Sequence, residues 1–485
     1  MEYRQPHTVE EALALHNEAG VCSRLLAGGT DFMIELRRGE IDCDRVVDIA
    51  RIPALRCIEL RDADVYIGAA STFGDLLAHP LIRDRAPILA QMAAEAGAVQ
   101  LRNTGTIGGN IANAALAADS LPVLIALDAR AEIAGPEGAR EVAIDALITG
   151  PGRHTLRPGE IITGFRFAPP PGRGVFLKVG RRNALNISRL SMSAVGYLDA
   201  DGRIAEARLV PGAALRHTRR VTEVEEPLLG QRPDPVTFAE AGERMAALMI
   251  EISGRRWSTQ YKEPVIATLT QRALAYVFAA DAAEAEATSA ELLAWMEHLH
   301  REARHPVTAH PPDERVHTRI PHQGPPQRLS FVLNGEAVSA DVPVGLSLLT
   351  VLRDTFGMLS PKEGCNGGEC GACTVLMDGV AVLGCLTLAH QAEGCEIVTV
   401  EGLRAPDGGL TDLQTAFIDH GAVQCGVCIP GMLLSAEALL SRNLNPVRAE
   451  IRQGIAGNLC RCTGYQQIVD AIEATAAHRR KEQGR

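Results

Sequence analysis

The sequence predicts a multidomain α+β protein, with α/β patterning in its N-terminal half and sheet-forming and then helical segments towards the C-terminus. The chain has 485 residues, which is enough for about three domains. Residues 9–15 and 32–37 carry helical signals, whereas residues 23–27 and 45–50 have the composition of strands. Because 46% of the residues are hydrophobic, each domain can bury a sizeable core.

A hairpin signal marks the sheet-forming segment of the C-terminal part. Two β-like runs flank Asn334-Gly335, and this dipeptide is typical of a two-residue hairpin turn. Ser347 follows, and its hydroxyl group can cap a helix predicted over residues 348–356. The sequence therefore predicts a hairpin and a helix immediately before a cysteine-rich loop.

The C-terminal segment, from about residue 410, is predicted to be helical. Apolar residues recur at helical spacing over residues 413–420, 432–442 and 447–456. Short helices of this kind bury their apolar faces by packing on one another. We therefore predict a small helical bundle.

Four cysteines in the sheet-forming segment have the spacing of an iron–sulfur site. They follow the pattern C-x4-C-x2-C, with a fourth cysteine after eleven more residues, which is typical of a plant-type 2Fe–2S ferredoxin. Glycines in and before this loop allow the backbone to approach a cluster closely and to point amide groups at its sulfurs. The alternatives are buried free cysteines or a structural zinc site, which usually pairs two short motifs. The candidate ligands are Cys365, Cys370, Cys373 and Cys385.

A second cysteine set lies within the predicted bundle. It combines a C-x2-C motif with a C-x-C motif, and by itself this spacing fits zinc about as well as iron–sulfur. The neighbouring first set favours a second 2Fe–2S cluster, because two adjacent clusters form a path for electrons. The candidate ligands are Cys425, Cys428, Cys460 and Cys462. The remaining cysteines are predicted to be small buried hydrophobic residues, namely Cys22, Cys43, Cys57 and Cys395.

Composition and charge exclude several classes of protein. The net charge is −11 and no long basic stretch is present, which argues against nucleic-acid binding. No run of about 18 uninterrupted apolar residues occurs, so no membrane span is predicted. The N-terminus has no basic-then-apolar signal pattern. Together with iron-ligating thiols, this predicts a cytoplasmic protein.

Two glycine-rich loops in the N-terminal half are candidate phosphate-binding sites. The first, Ala27 to Asp31, connects a predicted strand to a predicted helix, where converging amides and a helix N-terminus favour an anion. An ordinary strand-to-helix turn is the alternative. The second covers residues 104–112, follows a helical stretch predicted over residues 86–101, and has small residues that allow packing against a flat ligand. Neither loop is G-x-G-x-x-G, so a standard Rossmann fingerprint is excluded.

The same two loops resemble a known family. GGTDF at residues 28–32 and TIGGNIA at residues 106–112 are similar to the FAD-binding subunit of the molybdenum hydroxylases, which include xanthine dehydrogenase and carbon monoxide dehydrogenase. The resemblance continues through residues 159–162 and 176–187, and it covers about residues 1–277.

This resemblance implies a set of FAD contacts. The segment from Arg24 to Asp31 is expected to bind the pyrophosphate and ribityl region, and the segment from Thr106 to Asn110 to lie against the flavin and its chain. Asp119 is expected to hydrogen-bond the ligand, while Ile162 and Lys178 would lie at the adenine or isoalloxazine edge. For Lys178 a solvated surface charge is the alternative. The full implied set is Arg24, Leu25, Leu26, Ala27, Gly28, Gly29, Thr30, Asp31, Thr106, Ile107, Gly108, Gly109, Asn110, Asp119, Ile162 and Lys178.

The C-terminal part resembles the iron–sulfur subunit of the same family. Residues 424–428 and 457–465 are similar to its second iron–sulfur domain, where the usual sequence is QCGFCTPG. Val427 and Ile429 stand here in place of Phe and Thr, beside the ligands but not among them. The resemblance implies that Gln424 contacts molybdopterin.

Five segments follow from these patterns. An FAD-binding α/β domain of the PCMH type and a small α/β flavoprotein C-terminal domain precede a proline-rich linker. A β-grasp 2Fe–2S ferredoxin domain and a helical 2Fe–2S bundle complete the chain. The predicted boundaries, in this order, are 1–170, 171–280, 281–327, 328–403 and 404–485.

The function implied by the resemblance is electron transfer by an oxidoreductase of the xanthine dehydrogenase type. Electrons from a molybdopterin-bearing large subunit would pass through two 2Fe–2S clusters to FAD, and on to NAD or another acceptor. The chain contains no candidate for the molybdenum-binding portion, so a partner chain and a larger hetero-oligomer are expected. Two alternatives stay open, namely a freestanding flavin/iron–sulfur reductase and a non-enzymatic zinc-binding module.

Overall fold

The computed structural model describes residues 1–182, 184–280, 284, 285, 287 and 324–483. Most of the predicted linker, 281–327, lies outside the described residues, although a strand already begins at Pro326. No described helix is long and apolar enough to cross a lipid bilayer. The described chain forms a mixed α/β arrangement of several packed units, as the sequence predicts.

The N-terminal unit is a three-stranded parallel sheet flanked by two helices. The strand order is β1-β3-β2, and β3 pairs with both neighbours in parallel. In such a sheet the carboxyl ends of the strands meet at one edge, where loops converge on ligands. The four helices and strands predicted here are confirmed. The elements are β1 (Glu2–Arg4), α1 (Val9–His16), β2 (Ser23–Leu26), α2 (Phe32–Arg38) and β3 (Arg45–Asp48).

The second unit is a five-stranded antiparallel sheet packed against short helices. Its strand order is β4-β5-β10-β6-β7, and β10 lies at its centre. The elements are a 3-10 helix (Pro53–Leu55), β4 (Ile58–Arg61), β5 (Asp64–Gly68), α3 (Phe73–Ala78), α4 (Pro80–Arg85), α5 (Pro87–Glu95), α6 (Val99–Thr104), α7 (Ile107–Asn113), α8 (Ser120–Ala126), β6 (Arg130–Gly135), β7 (Gly138–Ala143), α9 (Ile144–Leu147), β8 (Ile148–Gly150), β9 (Arg153–His154) and β10 (Ile161–Phe167).

The helical stretch predicted over residues 86–101 is interrupted. Helix α5 ends at Glu95 and α6 begins at Val99. Between them Gly97 has φ +54°, a left-handed conformation that typically follows the end of a helix. The prediction of one continuous helix is therefore wrong. Asn103 on α6 donates to the Ala381 carbonyl oxygen in the C-terminal half of the chain at 2.8 Å.

The third unit pairs an antiparallel sheet with two long helices. Strands β11, β12 and β13 lie in sequence order, and their buried face packs on α11 and α12 around Met192, Leu209 and Ile266. The elements are β11 (Arg173–Val179), β12 (Leu190–Leu198), β13 (Ile204–Gly212), α10 (Thr222–Glu225), a 3-10 helix (Glu226–Leu228), α11 (Pro235–Ser253) and α12 (Thr259–Val277).

The fourth unit is a mixed five-stranded sheet with the order β15-β14-β18-β16-β17. The predicted hairpin is confirmed, since Asn334 and Gly335 both have positive φ at the turn. Ser347 caps the next helix by accepting a hydrogen bond from the Thr350 amide at 3.2 Å. The elements are β14 (Pro326–Leu333), β15 (Glu336–Pro343), α13 (Leu348–Asp354), β16 (Thr374–Met377), β17 (Val380–Leu383), β18 (Glu396–Val398) and 3-10 helices Ala389–Ala392 and Val400–Gly402.

The last unit is the predicted helical bundle, with one helix more than the sequence indicated. The additional helix, α17, is eighteen residues long and has low overall hydrophobicity, but its buried residues include Ile468 and Ile472. Arg479 on this helix pairs with Asp412 and Glu437. The elements are α14 (Asp412–Asp419), α15 (Ile429–Leu440), α16 (Arg448–Gly454) and α17 (Gln466–Gln483).

The N-terminal sheet and the ferredoxin-like unit share one hydrophobic core. Leu26 and Met33 pack in the same group of buried residues as Leu349, Cys373 and Cys385. Burial of each such large apolar side chain contributes roughly 1.5–3 kcal/mol. The cysteine-bearing loop is thereby held against the strand that leads into the first glycine loop.

Candidate flavin and iron–sulfur sites

The two glycine-rich loops meet at Gly28. A Cβ atom on Gly28 would lie 2.2 Å from the Thr104 carbonyl oxygen, so no larger residue fits without a backbone shift. Gly29 has φ +74°, and a Cβ there would lie 2.9 Å from the Leu386 carbonyl oxygen of the ferredoxin-like unit. Gln391 Nε2 of that unit donates to the Ala27 carbonyl oxygen at 3.1 Å. Glycine at both positions therefore allows three segments to converge.

A cavity of about 360 Å³ opens between the two loops. Twelve of the residues expected to contact FAD line it, namely Arg24, Leu25, Ala27, Gly28, Gly29, Thr30, Asp31, Thr106, Gly108, Gly109, Asn110 and Ile162. Leu26 and Ile107 do not, because their side chains are buried in the hydrophobic cores on either side.

The two loops differ in whether their backbone amides already donate hydrogen bonds within the protein. Within the described residues, the backbone amides from Gly28 to Asp31 donate no hydrogen bond. In the second loop, the amides of Ile107 and Gly108 donate to carbonyl oxygens at 3.0 and 2.8 Å, and the Gly109 amide donates to Thr106 Oγ1. The first loop, which leads directly into α2, is therefore the better candidate for an anionic group.

Asp119 and Lys178 form a buried ion pair behind the cavity. Lys178 Nζ lies 2.6 Å from Asp119 Oδ2, and Ser188 Oγ donates to Asp119 Oδ1 at 2.6 Å. Burial raises the pKa of Asp119, while Lys178 opposes that rise. Lys178 is buried, so the alternative of a solvated surface charge is wrong. Neither residue lines the cavity, although the adjacent Ser120 donates to Asn110 Oδ1 at 2.6 Å.

The first cysteine set combines amide donors with buried sulfurs. Cys365 Sγ accepts hydrogen bonds from the amides of Gly367, Glu369 and Cys370 at 3.3 to 3.4 Å. The pKa of Cys365 is lowered, chiefly by its interaction with the Cys370 side chain and then by these amides. Cys373 and Cys385 form a second interacting pair and are almost completely buried.

The second cysteine set also forms two pairs. Cys462 Sγ lies 3.4 Å from Cys425 Sγ, and both residues are exposed. Cys428 is buried and interacts with Cys460. Cys460 Sγ also lies 3.1 Å from the hydroxyl oxygen of Thr463. Cys428 also interacts electrostatically with Cys425, so the pair nearer the surface and the pair nearer the core belong to one site.

Paired sulfurs suit a binuclear cluster. In a four-cysteine 2Fe–2S site each of the two irons takes two thiolates, and each set supplies two such pairs. Among the described residues, no three His, Cys, Asp or Glu side chains converge as ligands of a single ion. Amide donors of the kind around Cys365 stabilise thiolates and tune a cluster's potential.

Family models match four consecutive parts of the chain. They describe an FAD binding domain in molybdopterin dehydrogenase (residues 1–170), a CO dehydrogenase flavoprotein C-terminal domain (176–277), a 2Fe–2S iron–sulfur cluster binding domain (331–395) and a [2Fe–2S] binding domain (399–473). The matched parts follow the order of the units described above.

Individual relatives match the two halves separately. The nicotinate dehydrogenase small FeS subunit of Eubacterium barkeri is 51% identical over 144 residues, which is 30% of this chain and 91% of that subunit. The xanthine dehydrogenase iron–sulfur-binding subunit of Escherichia coli O157:H7 is 49% identical over 30% of this chain and 91% of its own length. A solved chain of carbon monoxide dehydrogenase from Hydrogenophaga pseudoflava is 27% identical and has a TM-score of 0.54, over 57% of this chain and 97% of that chain.

The chain belongs to the molybdenum hydroxylase family. It is an oxidoreductase component that joins an FAD-binding part and two 2Fe–2S domains, and these correspond to the electron-transfer subunits of the family. The flavoprotein-like half comes first in this molybdenum hydroxylase chain, and the iron–sulfur half second.

Sequence patterns missed part of the cavity wall in this molybdenum hydroxylase chain. Phe73, Leu156 and Glu160 line the cavity, although they lie outside both glycine loops. The capping box of Thr72 and Asp75 marks the start of the helix that carries Phe73 and is a local signal that could have pointed to it. Glu160 lies within residues 159–162, where the sequence resembles the family.

Outside the two cysteine sets, the prediction of buried cysteines holds only in part. Cys43 and Cys395 are buried, whereas Cys57 is half-buried and Cys22 is exposed. Cys22 lies in the connection before β2, and its thiol approaches the carbonyl oxygen of Asp42 at 3.6 Å. The prediction is wrong for Cys22, because a short surface connection, not a core element, holds it.

Proposed function

We propose that this electron-transfer component accepts electrons from a large molybdopterin-bearing partner chain and delivers them through two 2Fe–2S clusters to FAD, and then to NAD or another acceptor. In this proposal Cys425, Cys428, Cys460 and Cys462 hold the cluster nearer the partner. The cluster nearer the flavin is held by Cys365, Cys370, Cys373 and Cys385. When bound, the clusters and FAD supply one-electron carriers and a converter between single electrons and pairs.

The exposed face around the second cysteine set carries this proposal. Cys425 and Cys462 are exposed, and three apolar side chains beside ligands in sequence, Val423, Val427 and Leu459, are 41 to 53% exposed. An apolar face around a redox centre is suited to a protein interface, since it excludes water on contact. Gln424 is also exposed on this segment, and we propose that it contacts the partner's pterin.

For FAD, the unbonded amides of the first glycine loop support a pyrophosphate position at residues 28–31. These amides, together with the N-terminus of α2, favour negative charge. Thr106, Gly109 and Asn110 line the facing wall and would contact the flavin and its chain. Asp119 and Lys178 would act through the ion pair they form with each other.

The proposed substrate of the complete enzyme is a purine or another N-heteroaromatic compound. Four relatives of the iron–sulfur half, at 44 to 51% identity, are named for nicotinate, nicotine, xanthine and caffeine, all nitrogen heterocycles, whereas two at 38 and 41% are named aldehyde oxidoreductases. The substrate would bind the partner chain, and the heterocycle names of these relatives support its class. We place the protein in the cytoplasm, where cluster thiols stay reduced, within a larger hetero-oligomer.

The decisive experiment measures iron, flavin and molybdenum in the tagged full chain, isolated gently from its native host. We expect about four irons and one FAD for each chain, visible absorbance from both cofactors, and a co-purifying molybdenum-containing polypeptide. The same iron and flavin without molybdenum or a partner would favour a freestanding reductase instead. Stoichiometric zinc in a colourless protein would refute both.

A further inference from the structure

A buried glutamine of the FAD-binding part reaches both cysteine-bearing units. Gln100 lies on α6, and its side chain is 1% exposed. Its Nε2 lies 2.9 Å from Asn458 Oδ1 and 3.0 Å from Ser435 Oγ of the helical unit, and 3.4 Å from Thr374 Oγ1 of the ferredoxin-like unit. Three units of the chain therefore meet at one side-chain amide.

Asn458 continues this contact into the two cysteine loops. Its Nδ2 donates to the Gly371 carbonyl oxygen at 2.9 Å, and the next residue, Leu459, donates its amide to the Cys370 carbonyl oxygen, also at 2.9 Å. Cys370 belongs to the first cysteine set and Cys460 to the second. Two hydrogen bonds thus connect the loops directly beside one candidate ligand of each set.

The chain segments approach one another closely at this junction. Gly371 has φ +70°, and a Cβ there would lie 2.2 Å from the Gly457 carbonyl oxygen. A Cβ on Gly457 would in turn lie 2.0 Å from Gln100 Oε1. Glycine at both positions allows the loops to approach more closely than any other residue would.

The Gln100 side chain is poorly explained by stability alone. Its Oε1 is buried and has no hydrogen-bond partner among the described residues, and a buried unsatisfied acceptor costs free energy. Ser435 Oγ already donates to Asn458 Oδ1 at 2.7 Å, so Asn458 does not depend on Gln100 for a partner. Gln100 instead fixes the orientation of the Asn458 side chain relative to α6, because hydrogen bonds constrain angles that apolar contacts leave free.

We infer that Gln100 is a positioning residue for electron transfer between the two clusters: through Asn458 it fixes the loop of the second cysteine set against that of the first. The inference rests on the proposed function, because it requires both clusters. The step concerned moves one electron from one cluster to the other, so that one is oxidised, the other is reduced, and no bond is made or broken.

The test compares Gln100→Met with Gln91→Met in the full chain. Both substitutions replace an amide by an apolar side chain of similar length. Gln91 accepts a hydrogen bond from the Phe176 amide at 3.1 Å within the flavoprotein part, so it serves as the matched control. The readouts are iron and FAD content, the melting temperature, hydrogen exchange of the Leu459 amide, and the magnetic splitting between the two reduced clusters in electron paramagnetic resonance.

We expect Gln100→Met to retain iron and FAD and to exchange the Leu459 amide about tenfold faster, as expected from the loss of one or two net hydrogen bonds. The magnetic splitting should change or broaden, and reduction of the more distant cluster by NADH should slow. Gln91→Met should leave the splitting and the Leu459 exchange unchanged.

A Gln100→Met protein with wild-type splitting and wild-type Leu459 exchange would overturn the inference, even if its melting temperature fell. If Gln100→Met fails to load iron, Gln100→Leu, which removes the same Nε2 donor with a smaller apolar side chain, takes its place with the same expected changes. Failure of the proposed function looks different, since the unsubstituted chain would then lack cluster or flavin signals altogether.

Discussion

Lys178 Nζ lies 2.6 Å from Asp119 Oδ2, and the two side chains are 1% and 12% exposed. Lys178 also donates to the carbonyl oxygen of Glu95 at 2.9 Å. One charge comes from β11 and the other from the residue before α8, so the pair joins the flavoprotein C-terminal part to the FAD-binding part. Because each charge is desolvated, burial of either one without its partner would strongly destabilise the fold.

Removal of one partner of this pair should be strongly destabilising. Lys178→Met leaves Asp119 buried with Ser188 as its one remaining side-chain donor among the described residues, and we expect a loss of about 3 kcal/mol in the free energy of unfolding. The double substitution Lys178→Met, Asp119→Leu should recover part of that loss. Denaturant unfolding measures both effects. Lys262→Met is the control, since Lys262 Nζ donates to the Ala213 carbonyl oxygen and pairs with no carboxylate of the described residues; an equal loss there would contradict the account.

The ion pairs of Arg479 predict an acid-dependent stability of the helical unit. Arg479 donates to both carboxylate oxygens of Asp412 at 2.7 and 2.8 Å, and this hydrogen bonding is the largest cause of the lowered pKa of Asp412. A carboxyl whose folded pKa is lowered stabilises the fold above its unfolded pKa, which is about 3.9. That contribution is lost as the pH falls through the lower folded value.

Substitution of Arg479 should therefore lower the free energy of unfolding at neutral pH and have little effect on it in acid. Arg479→Met is expected to lower the free energy of unfolding at pH 7 by about 1–3 kcal/mol. The difference from the unsubstituted chain should shrink below about pH 4. Unfolding followed at several pH values tests this, with Arg480→Met, an exposed neighbour on the same helix, as control. A difference independent of pH would exclude the ion pairs as its cause.

The two cysteine sets are predicted to bind their clusters independently, so that loss of one cluster leaves the other in place. Cys370→Ala should remove one cluster and lower the iron content from about four to about two for each chain. Cys395→Ala is the matched control, because Cys395 is a buried cysteine of the same unit outside either set. Iron analysis and visible spectra give the answer. Equal iron in the two variants would rule out Cys370 as a ligand.

The exposed apolar face predicts where the partner binds. Val427 is 53% exposed beside Cys425 and Cys428, and Val427→Asp places a charge that would be desolvated on association. We expect co-purification of the molybdenum-containing chain to fall by at least about tenfold, which corresponds to about 1.4 kcal/mol. Val236→Asp, at a 67% exposed position on α11, should leave association intact. Partner loss in both variants would mean that charge alone, not this face, weakens the complex.

Local patterns predicted much of the secondary structure. The Asn334-Gly335 turn and the Ser347 cap depend on residues within a few positions of one another, and such short-range preferences can be read from a single sequence. The helix break at Gly97 was missed because glycine is tolerated within helices as well as after them. Helix α17 was missed because its apolar stripe is narrow among many polar residues.

The sequence by itself determined the chemistry offered by this chain. Cysteine spacing brings thiolates within reach of a cluster, and glycine loops provide backbone amides, because both are properties of short segments. Only the tertiary structure decided that Lys178 is buried against Asp119, 59 positions away, and that Gln100 meets Asn458, 358 positions away. Burial and pairing over such separations depend on how the units pack, and no local pattern encodes that packing.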